Sequence, residues 1–188
     1  MNDIRTLENQ VTGATIWLTG LPSAGKTTIA YELANTLRAE GRKVEVLDGD
    51  EIREYLTAGL GFSREDRHTN VQRIGYLAEL LARNGVLVLV PVIAPYADSR
   101  EAVRKRHQTG GTGYLEVHVA TPVDVCSDRD VKGLYAKQAA GELSGLTGVD
   151  DPYEAPESPD LRIESQNQTV QESAAALRAL LTERGLAA

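Results

Sequence analysis

Cysteine, methionine, tryptophan and phenylalanine each occur only once among the 188 residues. Because Cys126 is the single cysteine, the chain cannot form an internal disulfide, and we expect a reducing, cytoplasmic location. The sequence also lacks an apolar run long enough to cross a bilayer and a charged-then-apolar leader. We therefore expect no membrane association.

An excess of positive charge is missing as well. Lysine and arginine number 20 against 27 aspartate and glutamate residues, which gives a net charge of −7. Sequence-independent binding to nucleic acid or to anionic membranes depends on an excess of basic residues, so both functions are disfavoured. An anionic ligand would have to be met by basic side chains gathered locally.

What is present is a globular composition with an alternating pattern. Hydrophobic residues make up 41% of the chain and charged residues 25%, and the length fits a single domain over residues 1–188. Short apolar runs alternate with helical periodicity, which predicts an α/β fold with a central, mainly parallel five-stranded sheet. The predicted strands are 14–19, 43–47, 86–93, 114–119 and 161–164, and the predicted helices are 26–40, 64–83, 98–108 and 169–184. Between Asp128 and Pro159 the apolar period fails, which indicates a long functional loop with one short helix.

The stretch GLPSAGKT, from Gly20 to Thr27, fits the phosphate-binding motif G-x-x-x-x-G-K-[ST] and lies between a predicted strand and a predicted helix. Glycines allow backbone N–H groups to surround phosphate oxygens, and the helix N-terminus adds partial positive charge. In this motif Lys26 reaches the β- and γ-phosphates and the Thr27 hydroxyl binds Mg²⁺. The alternative is an ordinary glycine-rich turn. The predicted ATP-binding residues here are Gly20, Leu21, Pro22, Ser23, Ala24, Gly25, Lys26, Thr27 and Thr28.

Two carboxylates, Asp48 and Asp50, follow the predicted strand that ends at Leu47. Open α/β sheets place ligands at the carboxyl ends of their strands, where these groups could orient Mg²⁺ or an attacking hydroxyl. Arg53 lies one helical turn beyond Asp50 and can face the same cleft. A solvated Asp-Gly turn that caps the next helix is the alternative.

Phe62, the only phenylalanine, lies among glycines and charged residues in GLGFSREDRHTN. A ring in a polar loop could stack on a purine, although a hydrophobic staple on the following helix is also open. Arg67 and Asn70 share one face of that helix, where a guanidinium could bind phosphate or sulfate and an amide could bind ribose or base. Either residue alone would more often be a solvated surface group.

Five segments together resemble the adenylylsulfate kinases, the P-loop enzymes that phosphorylate the 3′-hydroxyl of adenosine 5′-phosphosulfate. The segments are TIWLTGLPSAGKTT, LDGDEIR, LGFSREDRHTNVQRIG, RDVKGLYAK and GLTGVDDPYEAPESPDL. The resemblance implies a three-layer P-loop kinase fold, ATP and Mg²⁺ as cofactors, and a lid within residues 129–158. It implies that Lys26 and Asp48 are catalytic, that Thr27 and Asp48 bind the metal, and that Arg129 and Gln168 border the ATP purine. The substrate would be held by Asp50, Arg53, Phe62, Arg67, Asn70, Ile93, Ala94, Lys132, Gly145 and Leu146.

Two positions depart from the family pattern. Many members carry a serine, regarded as a phosphorylated intermediate, where this chain has Ala94. A phosphoserine is impossible here, so we expect direct in-line transfer, which depends mainly on positioning and charge neutralisation. Leu146 stands where the family lid usually has a phenylalanine on the substrate adenine. Leucine can cover the ring but loses stacking worth about 1 kcal/mol, and we expect weaker substrate binding.

Two other functions stay open at the level of sequence. A P-loop kinase for a different metabolite is disfavoured by the combination of Phe62, Arg67 and Asn70 with DVKGLYAK. A non-catalytic nucleotide sensor is supported only by Ala94 and Leu146. The resemblance also implies a homodimer, and it leaves open whether a sulfate adenylyltransferase partner binds this chain.

Overall fold

The computed structural model describes residues 13–187, which form five strands and seven helices. The strands are β1 (Ala14–Thr19), β2 (Val44–Val46), β3 (Leu87–Pro91), β4 (Gly113–Val119) and β5 (Leu161–Ile163). The helices are α1 (Lys26–Ala39), α2 (Gly49–Tyr55), α3 (Arg64–Ala82), α4 (Ala97–Gly110), α5 (Val123–Arg129), α6 (Leu134–Ala139) and α7 (Val170–Glu183). None of these helices combines the length and apolar character needed to cross a bilayer.

The strands form one sheet in the order β2-β3-β1-β4-β5, and every pairing is parallel. This confirms the predicted five-stranded sheet. The central strand β1 is buried at all six positions, because helices cover both faces of the sheet. Its sequence ATIWLT is accordingly a continuous apolar run instead of an alternating one.

Two cores lie on opposite faces of the sheet. Ile16 and Leu18 of β1 pack into the core formed with α1 and α7. Trp17, fully buried on the same strand, packs into the core formed with α3, where Ile74 lies. The alternating directions of side chains along β1 thus supply both cores, and the predicted three-layer architecture is confirmed.

Helices α3 and α7 begin with side-chain caps, whereas the helix that follows GLPSAGKT does not. At α3 the Ser63 hydroxyl accepts from the Asp66 amide at 3.1 Å. At α7 Thr169 and Glu172 form a complete reciprocal box. Helix α1 has Gly25 before it, no side-chain cap and no acidic residue in its first turn. Its N-terminal amides are therefore left for another partner.

The predicted loop between Asp128 and Pro159 contains one short helix, α6, as expected. The strand prediction 86–93 was too long, since β3 ends at Pro91, although the Val92 amide still donates to the Leu18 carbonyl at 3.1 Å. Beyond the sheet's carboxyl edge, this 128–159 segment faces the loops that follow β1, β2 and β3.

Candidate active site

A cavity of about 570 Å³ lies at the carboxyl ends of the strands, within the size range of small-molecule sites. It is lined by residues that follow β1, β2, β3 and β5 and by the 128–159 segment. The structure brings almost every predicted site residue together there: Pro22, Ser23, Ala24, Gly25, Lys26, Thr27, Thr28, Asp48, Asp50, Arg53, Phe62, Arg67, Asn70, Ile93, Ala94, Arg129, Lys132, Gly145, Leu146 and Gln168.

Gly20 and Leu21, predicted to bind ATP, do not line this cavity. A Cβ on Gly20 would lie 2.5 Å from the Val119 carbonyl oxygen, so glycine is needed for the close approach of the loop to β4. The Leu21 side chain packs against Gly148 instead of lining the cavity. A Cβ on Gly148 would lie 2.4 Å from Leu21 Cδ2. Both residues shape the loop, and their carbonyls meet the Lys26 ammonium instead.

The phosphate loop, residues 20–27, is held in place by hydrogen bonds that other parts of the chain donate to its Ala24 carbonyl. The hydroxyls of Thr121 and Ser165 both donate to this oxygen at 2.9 Å. Arg129 donates to Ser165 Oγ at 2.9 Å and to its carbonyl at 3.2 Å. The loop is therefore tied to the chain after β4 and after β5. Sequence reasoning missed Thr121 and Ser165, because neither belongs to a motif.

Lys26 is buried, with 8% of its surface exposed, and its ammonium donates to the carbonyls of Gly20 at 2.9 Å and Leu21 at 2.7 Å. An ammonium carries three N–H donors, so one remains for a ligand. Burial, with a smaller contribution from the positive charge of Lys132, lowers the pKa of Lys26 to about 8, although nearby Cys126, Asp50 and Asp48 act in the opposite direction. A polyphosphate would relieve this unfavourable burial of charge.

Thr27 and Asp48 lie side by side in the cavity, between the phosphate loop and the residues around Phe62. The Thr27 hydroxyl donates to Asp48 Oδ2 at 2.9 Å, while Asp48 Oδ1 caps α2 by accepting from the Asp50 amide at 2.9 Å. Asp48 therefore caps α2, as the alternative for this Asp-Gly turn predicted, and it also contacts the phosphate loop through Thr27. The pair offers hard oxygen donors, which suit Mg²⁺.

No cluster of three or more acidic, histidine or cysteine side chains suited to a metal occurs within residues 13–187. Mg²⁺ usually takes one or two protein oxygens and completes its shell with phosphate oxygens and water. The Thr27 and Asp48 oxygens therefore fit a magnesium site of that kind, and they do not fit a site built from protein ligands alone.

The Phe62 ring is 64% exposed at the cavity, which argues against the hydrophobic-staple alternative. The guanidinium carbon of Arg53 lies 4.5 Å from the ring centroid and that of Arg67 lies 5.6 Å from it. Burial, and then the like charge of Arg67, lower the pKa of Arg53. An anion bound beside the ring would offset this repulsion.

Arg67 is engaged by the protein at three of its nitrogens. Nε donates to the Phe62 carbonyl at 2.8 Å, and the terminal nitrogens donate to Thr147 Oγ1 at 3.0 Å and to the Gly145 carbonyl at 2.7 Å. Its side chain is also 3.8 Å from the Asp151 carboxylate. Arg67 thus fastens the 145–151 turn to the Phe62 loop, and its guanidinium is less free for a ligand than its sequence position suggested.

Lys132 and Asp50 form an ion pair across the mouth of the cavity. Both side chains are more than half exposed, so solvent screens this contact and it contributes little to stability. Five cationic side chains line the cavity, namely Lys26, Arg53, Arg67, Arg129 and Lys132, against the two carboxylates of Asp48 and Asp50. An acidic chain has therefore gathered positive charge at one place, as an anionic ligand would require.

Ala94 and Leu146 form part of the wall. Ala94 has a φ of 43° and is 3% exposed, and its carbonyl accepts from the buried Arg100 at 2.8 Å. Leu146 is 6% exposed and packs into the same core as α1 and α7, so it is a structural residue as well as a wall. Its backbone amide donates to Asp150 at 2.7 Å, which holds the turn.

Two tyrosines of the 128–159 segment act as anchors. The hydroxyl of buried Tyr135 donates to the Pro22 carbonyl at 3.1 Å and joins α6 to the phosphate loop. The Tyr153 hydroxyl lies 3.0 Å from Thr19 Oγ1, at the end of β1. Cys126 is fully buried in the core that packs against α1 and α7.

Comparison with known proteins agrees with this arrangement. The family model described as adenylylsulphate kinase matches residues 12–164. The adenylyl-sulfate kinase of Rippkaea orientalis is 52% identical over 174 residues, which cover 92% of this chain and 93% of that protein. A probable adenylyl-sulfate kinase of Synechocystis sp. is 54% identical over 164 residues, 87% of this chain and 90% of that protein.

Solved structures give the same relationship. The APS kinase of Mycobacterium tuberculosis, in complex with AMPPNP and APS, has a TM-score of 0.89 and 44% identity, covering 91% of this chain and 98% of that one. A hexameric APS kinase from Thiobacillus denitrificans has a TM-score of 0.72 and 30% identity, covering 95% of this chain and 31% of that chain. The chain belongs to the adenylylsulphate kinase family.

Proposed function

We propose that the protein is an adenylylsulfate kinase, which transfers the γ-phosphoryl group of ATP to the 3′-hydroxyl of adenosine 5′-phosphosulfate. The products are ADP and 3′-phosphoadenosine 5′-phosphosulfate, made for sulfate assimilation. The observation that carries the proposal is the single cavity in which the phosphate loop and the Phe62 and Arg53 pocket lie on either side of Thr27 and Asp48. Two nucleotides can meet there end to end.

The donor half binds ATP. The uncapped N-terminus of α1 and the loop amides favour the phosphates, and the third N–H of Lys26 offsets negative charge on the transferring group. Arg129 and Gln168 border the purine from the ends of α5 and the β5–α7 connection. The tethers on the Ala24 carbonyl keep the loop in its binding shape before the nucleotide arrives.

Thr27 and Asp48 would hold the magnesium ion. The chemistry that Mg²⁺ supplies when bound is neutralisation of negative charge on the phosphate oxygens. Asp48 also faces the acceptor side, where it orients the 3′-hydroxyl and accepts its proton late in the transfer. A loose transition state makes little demand on a strong base, so an ordinary carboxylate suffices.

The acceptor half binds adenosine 5′-phosphosulfate. Phe62 stacks on the adenine, and Arg53, Lys132 and Asp50 fix the sugar and the phosphosulfate end. Arg67 contacts the substrate while it holds the turn that carries Gly145 and Leu146. Ile93 and Ala94 form the remaining wall, and since Ala94 has no hydroxyl, the phosphoryl group passes directly between the nucleotides.

Residues 129–158 act as a lid in this proposal, within a single domain. Support comes from the anchors at Arg129 and Tyr135, which fix its first part on the donor loop, and from Arg67, which holds its later part on the acceptor side. We also propose a cytoplasmic homodimer, because Cys126 suits a reducing compartment and dimers are usual in this family. Light scattering after size exclusion tests the dimer, which requires twice the 20.3 kDa chain mass. A sulfate adenylyltransferase partner would appear as co-elution in the same measurement.

The deciding experiment mixes purified protein with ATP, Mg²⁺ and adenosine 5′-phosphosulfate and quantifies ADP and the 3′-phosphorylated product. Lys26→Ala should lower the rate by orders of magnitude with the fold intact, and Lys105→Ala, an exposed lysine on α4, serves as the matched control. Testing a panel of other nucleotides and sugar acids as acceptors distinguishes an adenylylsulfate kinase from a kinase for another acceptor. ATP binding without turnover of any acceptor would identify a sensor and refute the proposal.

A further inference from the structure

Thr57, a residue of the α2–α3 connection, contacts Asn70 inside the protein. Its hydroxyl donates to Asn70 Oδ1 at 2.7 Å. Thr57 is 1% exposed and Asn70 is 8% exposed, so water cannot readily replace this hydrogen bond. Asn70 also lines the cavity, while Thr57 does not. A buried hydroxyl thus lies behind an amide that faces the site.

The direction of this hydrogen bond follows from the other acceptor within reach. Thr57 Oγ1 is also 3.4 Å from the Ile52 carbonyl oxygen. That oxygen already accepts from the Leu56 amide at 2.9 Å and from the Thr57 amide at 3.0 Å, which occupies both of its lone pairs. The single hydroxyl hydrogen of Thr57 therefore goes to Asn70, and the amide oxygen of Asn70 is turned away from the cavity.

We infer that Thr57 is a positioning residue for the acceptor nucleotide: it locks the Asn70 amide so that Nδ2 presents its N–H donors to the ligand. This inference rests on the proposed function, because the ligand in question is adenosine 5′-phosphosulfate. Within residues 13–187 the Asn70 side chain makes one hydrogen bond, through Oδ1, so Nδ2 has no protein partner there and lies at the cavity that Asn70 lines. The ligand group it meets must be an acceptor, such as a ring nitrogen, a ribose oxygen or a phosphosulfate oxygen.

The test compares Thr57→Val, which keeps the shape and loses the hydroxyl, with Thr57→Ser, which keeps the hydroxyl. Thr57→Val should raise the KM for adenosine 5′-phosphosulfate roughly five- to tenfold, the usual effect of losing one hydrogen bond that orders a binding group. The KM for ATP and kcat should change less than about twofold, since the donor half has no contact with Thr57. Thr57→Ser should restore the wild-type KM. Thr109→Val, an exposed threonine at the end of α4, is the matched control.

A double-mutant cycle separates this role from a general effect on the loop. In an Asn70→Ala background the amide is gone, so Thr57→Val should add no further increase in KM. Asn70→Asp keeps the hydrogen bond from Thr57 but presents a carboxylate oxygen to an acceptor group of the ligand. It should therefore raise the KM more than Asn70→Ala does.

Three results would overturn the inference. They are an unchanged KM in Thr57→Val, an equal increase with and without Asn70, or a Thr57→Ser variant that behaves like Thr57→Val. In each of these cases the wild type still turns over adenosine 5′-phosphosulfate, so the proposed function survives. A wild type without that turnover refutes the proposed function and, with it, the inference.

Discussion

Binding of ATP should take up a proton at alkaline pH, because burial lowers the pKa of Lys26 to about 8 in the free protein. At pH 8.5 a group with that pKa is neutral in about three quarters of the molecules, by the ordinary titration relation. Phosphate oxygens beside the amine favour its charged form and raise its pKa again. The expected uptake is therefore about 0.75 protons per site at pH 8.5 and about 0.1 at pH 7.

The same linkage sets how ATP affinity depends on pH. The complex holds the Lys26 proton, and the free protein loses it as pH rises through about 8. Affinity is therefore nearly constant below pH 7 and falls above pH 8. Between pH 7 and pH 9 the charged fraction of the free amine drops about tenfold, so the Kd for ATP should rise by about the same factor.

Isothermal titration calorimetry in two buffers with different ionisation enthalpies measures the uptake, since the difference in apparent heat counts the protons exchanged. Mg²⁺ and ATP are titrated together at pH 7 and at pH 8.5, where the phosphates are fully ionised. Lys26→Ala should abolish the pH-dependent proton uptake, and Lys105→Ala should retain it. An uptake below about 0.2 protons at pH 8.5, or one that persists in Lys26→Ala, would refute the assignment to this amine.

Three further predictions concern the acceptor, the central carboxylate and the lid. Phe62→Ala should raise the KM for adenosine 5′-phosphosulfate by about tenfold or more, because stacking on a base is worth about 1–3 kcal/mol, whereas Phe62→Tyr should stay close to wild type. Since the ring is 64% exposed, the melting temperature should hardly move, and a large drop with an unchanged KM would make the ring structural. Asp48→Asn should lower kcat by about 100-fold or more under saturating substrates, with exposed Asp124→Asn on α5 as the control, and a kcat within threefold of wild type would remove this carboxylate from the transfer step. Gly148→Ala should cost more free energy of unfolding than Gly141→Ala. Both have positive φ, at 88° and 75°, which costs about 1–2 kcal/mol, but only at Gly148 would the new methyl meet Leu21. Equal losses in urea unfolding would show that the Leu21 contact is unimportant.

The sheet and the phosphate loop were predictable because their signals are local. β1 is a short continuous apolar run, and Gly25, Lys26 and Thr27 follow it in a fixed spacing. Helix α3 was predicted at 64–83 from its helical periodicity, and it runs over Arg64–Ala82. These features depend on neighbours within a few residues, which the sequence displays directly.

Contacts between distant parts of the chain were not predictable in the same way. Thr121 and Ser165 meet at Ala24 from two separate strand ends, and no spacing in the sequence marks that meeting. Arg67 was expected to hold the substrate, and the sequence did not indicate that it also donates to the 145–151 turn, about 80 positions away. Leu146 was expected to cover a ligand ring, and its burial in the core follows from that same fold-back.

The phosphate loop follows β1, the middle strand of the sheet, so strands on either side of β1 contribute different parts of the site. On the β4 and β5 flank, the residues after the strands fasten the loop, while on the β2 and β3 flank α2, α3 and the end of β3 shape the pocket around Phe62. A redesign for another hydroxyl compound would accordingly begin on the β2 and β3 flank, and it would have to preserve the hydrogen bonds by which Arg67 holds the 145–151 turn.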